Sequence, residues 1–349
     1  MSGTLLTRLD SLGDVLLTGP AVRAAARTGG PVTLVVGPRG VPAARMLPGV
    51  DEVVVFHTPW IDATPGPVDR AGMDDLVARI AAIAPDRAAI LGSFHQSPLP
   101  TALLLRLAGV PEIAAVSVDY PGTLLDHRLR DPGDVHEVER SLLVVRALGL
   151  EPDDDPRMAV RRDPAARPDA LPDGDYVVVH PGASVPARAW APERHRDLVR
   201  ALADRGHRVV VTGGPDETAL TAVVSDDGAT ALDLGGRTDV PGMAEILAGA
   251  RVVVVGNTGP AHLAAAVRVP IVSLFAPTVP AARWRPWAVP QELLHLPVPC
   301  AGCRATTCPV PGHPCLDDLP VDEVVAATER LLRGPAAGPA TSPDLEVTR

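Results

Sequence analysis

Residues 251–267, RVVVVGNTGPAHLAAAV, decide the fold of this chain. Four consecutive valines, Val252 to Val255, form too short an apolar run for a free-standing helix and read as a strand buried on both faces. Gly256 to Pro260 make a tight turn, and Ala261 to Val267 open an alanine-rich helix. A strand that turns through glycine into a helix presents backbone N–H groups and a positive dipole end, a site suited to a phosphate. His262, in the first helical turn, stands where it can also donate. An ordinary βα turn has the same outline, so the rest of the chain must decide between them.

Outward from this stretch the same alternation repeats. Downstream, Ile271–Phe275 reads as a strand and Val321–Leu332 as a last helix. Upstream, Tyr176–His180, Arg208–Thr212 and Ala231–Leu234 read as strands; Pro192–Arg205, Asp216–Ser225 and Val240–Gly249 read as helices. Residues 151–175, EPDDDPRMAVRRDPAARPDALPDGD, break the pattern with Pro and Asp, and one short strand is expected at Met158–Val160. Before that break, strands are expected at Thr4–Leu9, Val32–Val36, Asp51–Phe56, Arg87–Leu91 and Glu112–Val116. Helices are expected at Asp14–Arg27, Asp74–Ala84, Thr101–Ala108 and His136–Leu148. Alternating β and α elements imply parallel sheets covered on both faces. The expected organisation is a first α/β domain over 1–155, a linker over 156–175, a second α/β domain over 176–333 and a disordered tail over 334–349. Each domain is long enough for its own core, and a cleft is expected between them.

Composition narrows the function. The 349 residues carry a formal net charge of −10, which argues against a general nucleic-acid binder. The chain contains no lysine, so any phosphate clamp must use Arg, His or backbone N–H groups. Apolar runs are too short to span a membrane, and the start, MSGTLLTRLDSLGD, lacks a basic segment followed by an apolar one. A cytoplasmic protein is the expectation.

Ligands of such sheets bind at the carboxyl ends of strands, and four of these ends carry chemistry. At Arg8-Leu9-Asp10-Ser11-Leu12-Gly13-Asp14, Gly13 permits the turn, Ser11 can donate to a ligand, and Asp14 lies at a helix start, either facing the cleft or capping. At His180-Pro181-Gly182-Ala183-Ser184, Ser184 suits a phosphate or ribose contact, and Arg188, just downstream, is placed to reach a diphosphate. At Thr212-Gly213-Gly214-Pro215-Asp216-Glu217, an acid could bind a ribose hydroxyl or cap a helix. The fourth end is the opening turn, with Asn257, Thr258, Gly259 and His262. Neither half has G-x-G-x-x-G after its first strand, so a dinucleotide fingerprint is absent. Glycine turns at several strand ends of the second half suit a sugar nucleotide.

Together RLDSLGDVLLTGPAVRAAA, VVVHPGASVPARAWAPERHRDLVRALADRGHRVVVTGGPDE and VVVVGNTGPAHLAAAVRVPIVSLFAPT resemble the heptosyltransferase family, glycosyltransferase family 9, over about residues 4 to 332. The resemblance implies a GT-B fold, two Rossmann-like domains facing a cleft, with the acceptor on the first and the sugar nucleotide on the second. It implies inverting transfer of a heptose or related sugar from an ADP-sugar or similar donor to an acceptor hydroxyl. Asp14 matches the family's general base, and the Ser11 loop approaches the transferred sugar. Arg188 stands where characterised members carry a diphosphate-contacting Lys. Thr258, Gly259 and His262 match the pyrophosphate turn, and Asp216 or Glu217 an acid near the nucleoside. No cofactor is required for the reaction. A GT-B epimerase or hydrolase and a non-catalytic binding module are the alternatives.

The first half has few basic side chains at its strand ends, and the chain lacks a recognisable basic amphipathic helix. Both features count against lipopolysaccharide as acceptor and make a soluble acceptor at least as good a reading, with peripheral membrane contact left open. All four cysteines fall in one run: Cys300, Cys303, Cys308 and Cys315. Their spacing suits a structural zinc or iron–sulfur site, and reduced free thiols are the alternative. Many family members carry a similar loop before the last helix, which implies a structural role.

Overall fold

The computed structural model describes residues 3–62 and 64–334. The tail expected over 334–349 lies, beyond Gly334, outside the described residues. Six strands build the first sheet: β1 (Thr4–Arg8), β2 (Val32–Val36), β3 (Glu52–Val55), β4 (Arg87–Ile90), β5 (Glu112–Val116) and β6 (His127–Leu129). Six build the second: β7 (Val177–His180), β8 (Val209–Val211), β9 (Leu232–Asp233), β10 (Val252–Gly256), β11 (Ile271–Leu274) and β12 (Gln291–Leu294). The first runs β3-β2-β1-β4-β5-β6 and the second β9-β8-β7-β10-β11-β12, all parallel. Each is therefore a doubly wound Rossmann sheet, with its switch point at β1/β4 or β7/β10. The α/β class and the pair of doubly wound sheets are those the sequence pattern predicts. Val252 to Val255 are wholly buried at the centre of the second sheet.

The helices of the first half are α1 (Leu12–Leu17), α2 (Gly19–Ala26), α3 (Val41–Met46), α4 (Arg70–Ile83), α5 (Leu99–Leu107) and α6 (Glu137–Ala147). Those of the second are α7 (Pro192–Asp204), α8 (Thr218–Ser225), α9 (Val240–Ala248), α10 (Gly259–Ala266), α11 (Ala281–Trp284) and α12 (Val321–Leu332). The single helix expected over Asp14–Arg27 is two. Pro20 has no N–H to continue the first and sits in the opening turn of the second. No strand forms at Met158–Val160; Met158 is instead buried in the core.

The linker is tied down on both sides. Arg23 donates to the Arg157 carbonyl at 2.8 Å, and Arg162 grips the buried Glu245 of α9. One apolar cluster runs through both halves, joining Val15, Leu16 and Leu17 of α1 to Leu263 and Ala264 of α10. Two further clusters belong to the first sheet and the second sheet alone. The expectation of one core per half thus holds for the outer faces, while the inner faces share a seam.

Candidate active site at the facing switch points

The seam brings the two glycine turns into contact. A Cβ on Gly13 would stand 2.8 Å from the His262 ring and 3.2 Å from the Gly259 Cα. A Cβ on Gly259 would meet the Leu12 side chain at 3.1 Å. Only glycine lets α1 and α10 start so close together, and this closeness puts Asp14 and His262 on one cavity.

On the first-half side the organising residue is Arg8, the last residue of β1. Its side chain is 1% exposed and is spread over several acceptors. Its guanidinium donates to Asp14 Oδ1 at 3.0 Å, Glu137 Oε2 at 3.0 Å, Ser93 Oγ at 2.7 Å and the Leu91 carbonyl at 3.2 Å. Asp10 lies 2.8 Å from Arg8 Nε and also receives the Gln96 amide. The Ser11 hydroxyl donates to Asp14 Oδ2 at 2.7 Å. Burial by itself would raise the Asp14 pKa; Arg8, Ser11 and His262 outweigh it and hold the carboxyl below its ordinary value. Burial lifts Asp10 to about 6 against the pull of Arg8. Asp14 still keeps 21% of its side chain exposed, enough for a substrate to touch it.

The second-half side is β10 and α10. Thr258 stands at the N-cap in extended backbone, and its hydroxyl makes no capping hydrogen bond, so the helix N-terminus is open to an external anion. Asn257 is buried, and neither its Nδ2 nor its Oδ1 has a partner. His262 Nδ1 and Arg188 Nε are likewise buried and unpartnered. Burial pushes His262 down to about 4, so the ring is neutral near pH 7. Native proteins leave few buried polar atoms unsatisfied, and a group of them around one helix start fits a site that takes a polar ligand.

Two adjoining cavities share Ser184 and Thr258. The first, about 350 Å³, lies between the sheets and is lined by Ser11, Gly13, Asp14, Arg188, Asn257, Gly259 and His262. The second, about 810 Å³, is mostly apolar and includes Glu217, Met243, Pro241 and Leu263. The structure therefore brings together ten of the eleven site residues expected from sequence outside the cysteines. The exception is Asp216, which is exposed and lines neither cavity. Its neighbour Glu217 lines the second cavity; it accepts the Gly214 N–H at 2.7 Å, and a Cβ on Gly182 would overlap its carboxylate.

Several residues at the site were not expected. Arg8 and Glu137 support it without lining the cavity, and the signal for Arg8 was a charge near the end of the TLLTRL run. Phe94, Trp284, Arg39 and Arg304 line the first cavity. The Arg283 guanidinium stacks on Phe94 at 4.3 Å and pairs with Asp134 at 2.6 Å, tying the second half to the first.

The four-thiolate ligand set is not assembled. Cys315 is buried, Cys303 exposed, and Cys300 and Cys308 half-buried, all as free thiols. Among the described residues no three His, Cys, Asp or Glu side chains stand close enough to hold one metal ion. Cys315 packs in the apolar core with Leu316 and Leu319, and burial, with the neighbouring thiols, lifts its pKa to about 11, which favours the neutral thiol. Among the described residues no helix is long and apolar enough to cross a membrane.

Two facing Rossmann halves with an anion-ready helix start at the cleft define the GT-B class. The family model of glycosyltransferase family 9 (heptosyltransferase) matches residues 96–313, more than half of the chain. The chain belongs to that family. It is 31% identical over 216 residues to lipopolysaccharide heptosyltransferase 3 of Escherichia coli K12; the match covers 56% of this chain and 60% of that protein. Among solved structures, a family 9 glycosyl transferase from Veillonella parvula superposes with a TM-score of 0.80 at 20% identity, covering 96% of this chain and 98% of that one. The E. coli heptosyltransferase WaaC with ADP-2-deoxy-2-fluoro heptose superposes with a TM-score of 0.68 at 22% identity, covering 94% and 99%. At these identities the structural likeness speaks for the fold.

Proposed function

We propose that the protein is an inverting glycosyltransferase that moves a heptose or closely related sugar from an ADP-sugar to an acceptor hydroxyl, with Asp14 as general base. The carrying observation is the group of buried, unpartnered polar atoms of Asn257, His262 and Arg188 around the α10 N-terminus, on the same cavity as Asp14. The likeness to WaaC, solved with ADP-2-deoxy-2-fluoro heptose, supports the choice of donor. In this reading residues 1–155 hold the acceptor, 156–175 link, and 176–333 hold the donor, in a cytoplasmic setting.

The donor diphosphate lies at the α10 N-terminus against Thr258, Gly259, His262 and Arg188, and the nucleoside extends past Ser184 into the cavity beside Glu217. The acceptor oxygen attacks the anomeric carbon from the side of Asp14. Its proton passes to an Asp14 oxygen as the new C–O bond forms. The bond from the anomeric carbon to the diphosphate breaks, its electron pair stays on the departing ADP, and the anomeric configuration inverts. A carboxylate with a depressed pKa is a weak base, which suffices when the proton moves late, after the acceptor oxygen has become acidic. The helix dipole and the Arg188 charge stabilise the leaving diphosphate.

Calorimetric titration with ADP, GDP and UDP tests the donor half, with ADP expected to bind most tightly. Failure of all three would favour a binding module. Donor consumption without any acceptor would favour a hydrolase or epimerase. A product with the donor's own anomeric configuration would refute the single-displacement mechanism.

A further inference from the structure

The cysteine-rich loop has no part in the reaction as described, yet it reaches the active-site cavity. Gly302 N–H donates to the Pro277 carbonyl at 2.7 Å and Arg304 N–H to the Thr278 carbonyl at 2.9 Å. These bonds pin the loop to the segment that follows β11. Arg304 takes a left-handed φ of 55°, and its guanidinium comes to lie 5.3 Å from the centre of the Phe94 ring, across the cleft. Its charge is felt on the facing wall. Burial lowers the His95 pKa, and Arg304 is the next largest cause of that fall. Phe94 thus carries two guanidinium groups in different states. Arg283 is committed to Asp134, while Arg304 has no carboxylate partner among the described residues. Arg39, after β2, lines the same cavity and also lacks a carboxylate partner among the described residues. The carboxylates of that cavity, Asp10 and Asp14, are already gripped by Arg8.

We propose that Arg304, delivered by the cysteine-rich loop, and Arg39, from the opposite half, form a subsite that reads an anionic group, phosphate or carboxylate, on the acceptor. The inference rests on the donor assignment above, because the α10 N-terminus and Arg188 are then occupied by the diphosphate and these two cations are left over. Arginine suits the task, since its planar fork pairs with either oxyanion in a bidentate manner. The few basic side chains at the first half's own strand ends then cease to count against a charged acceptor, because the second half supplies one across the cleft. Arg304 is exposed and Arg39 lies on a surface turn, so substituting either leaves the core intact.

The test is calorimetric titration of inorganic phosphate, and separately of acetate, into the ADP-saturated full chain. Arg304→Gln and Arg39→Gln are each expected to weaken anion binding by about tenfold, the loss of one charge-assisted hydrogen bond, with ADP affinity unchanged. Arginine-dependent binding of either anion supports the subsite, and the tighter one identifies the acceptor's group. Anion binding indifferent to both substitutions, or absent from the ADP-loaded wild type, would overturn the proposal. So would an ADP affinity that falls in step with the anion's in Arg304→Gln, since that would put Arg304 on the donor. ADP failing to bind the wild-type chain would instead bring down the donor assignment on which the subsite rests.

Discussion

Arg8 serves three carboxylates with one guanidinium. Glu137 is wholly buried, and without Arg8 its charge has no cationic partner within reach. Breaking such a buried pair from one side costs about 3–5 kcal/mol, so Arg8→Met should lower stability by that order in denaturant unfolding. Adding Glu137→Gln should restore part of the loss, because the stranded charge disappears; a double variant no more stable than the single one would show that no charge was stranded. The place of Asp14 and Ser11 on the cavity was suggested by a polar Asp-Ser-Leu-Gly-Asp run at a strand end, although a capping Asp has the same outline in sequence. Arg8 was not, since a cation closing an apolar strand looks the same whether it snorkels to solvent or turns inward. Asp216 and Glu217 are neighbours with equal claims in sequence. The glycine-rich turn aims Glu217 at the cavity and Asp216 at solvent.

At the level of elements, the site is made by two βα turns that touch. A methyl group on Gly13 collides with the His262 ring and the Gly259 backbone. Gly13→Ala should therefore destabilise by about 1–3 kcal/mol through overpacking and weaken ADP binding by displacing His262. A variant with wild-type thermal stability and ADP affinity would show that the turns do not need their close approach. The turns themselves were readable, as a valine run ending in glycine before an alanine-rich helix has one common outcome. The contact between them was not, because pairs more than two hundred residues apart leave no local pattern. The edge strands β6 and β12, HRL and QELL, escaped for a related reason. Each is short and polar enough to pass for a loop, and only pairing with β5 or β11 makes it a strand. The short helix α3, VPAARM, begins beside a proline that reads equally well as a turn.

Across the whole molecule, the alternation of β and α was enough to specify two doubly wound sheets, while the shared apolar seam and the Arg283–Asp134 clasp had no signature along the chain. Burial of the halves against one another and of their helices also shapes the response to acid. Burial lowers His262 and His195 to about 4 and His136 to about 3. Each is neutral in the fold and protonated in the unfolded chain between its folded value and the ordinary value near 6.5. The stability they contribute is present above that ordinary value and fades as pH falls. Asp10 acts in the opposite sense, since at about 6 it holds a proton in the fold that the unfolded chain has released. Burial lowers His180 and His95 as well, so unfolding near pH 5 should take up a net of about two protons or more, read as the slope of unfolding free energy against pH; a flat or inverted slope between pH 4 and 6 (roughly the window set by these groups) would contradict the burial of these histidines. The proposed function divides across the cleft in the same way: on that reading one wall holds the leaving diphosphate and Asp14, on the other, takes the acceptor's proton. Asp14→Asn separates the two most directly, by comparing ADP affinity with the rate of sugar transfer in one preparation. ADP affinity is expected to stay within about twofold of wild type, with transfer slowed by about 10²–10⁴-fold. Transfer near the wild-type rate would contradict the assignment of Asp14 as the base.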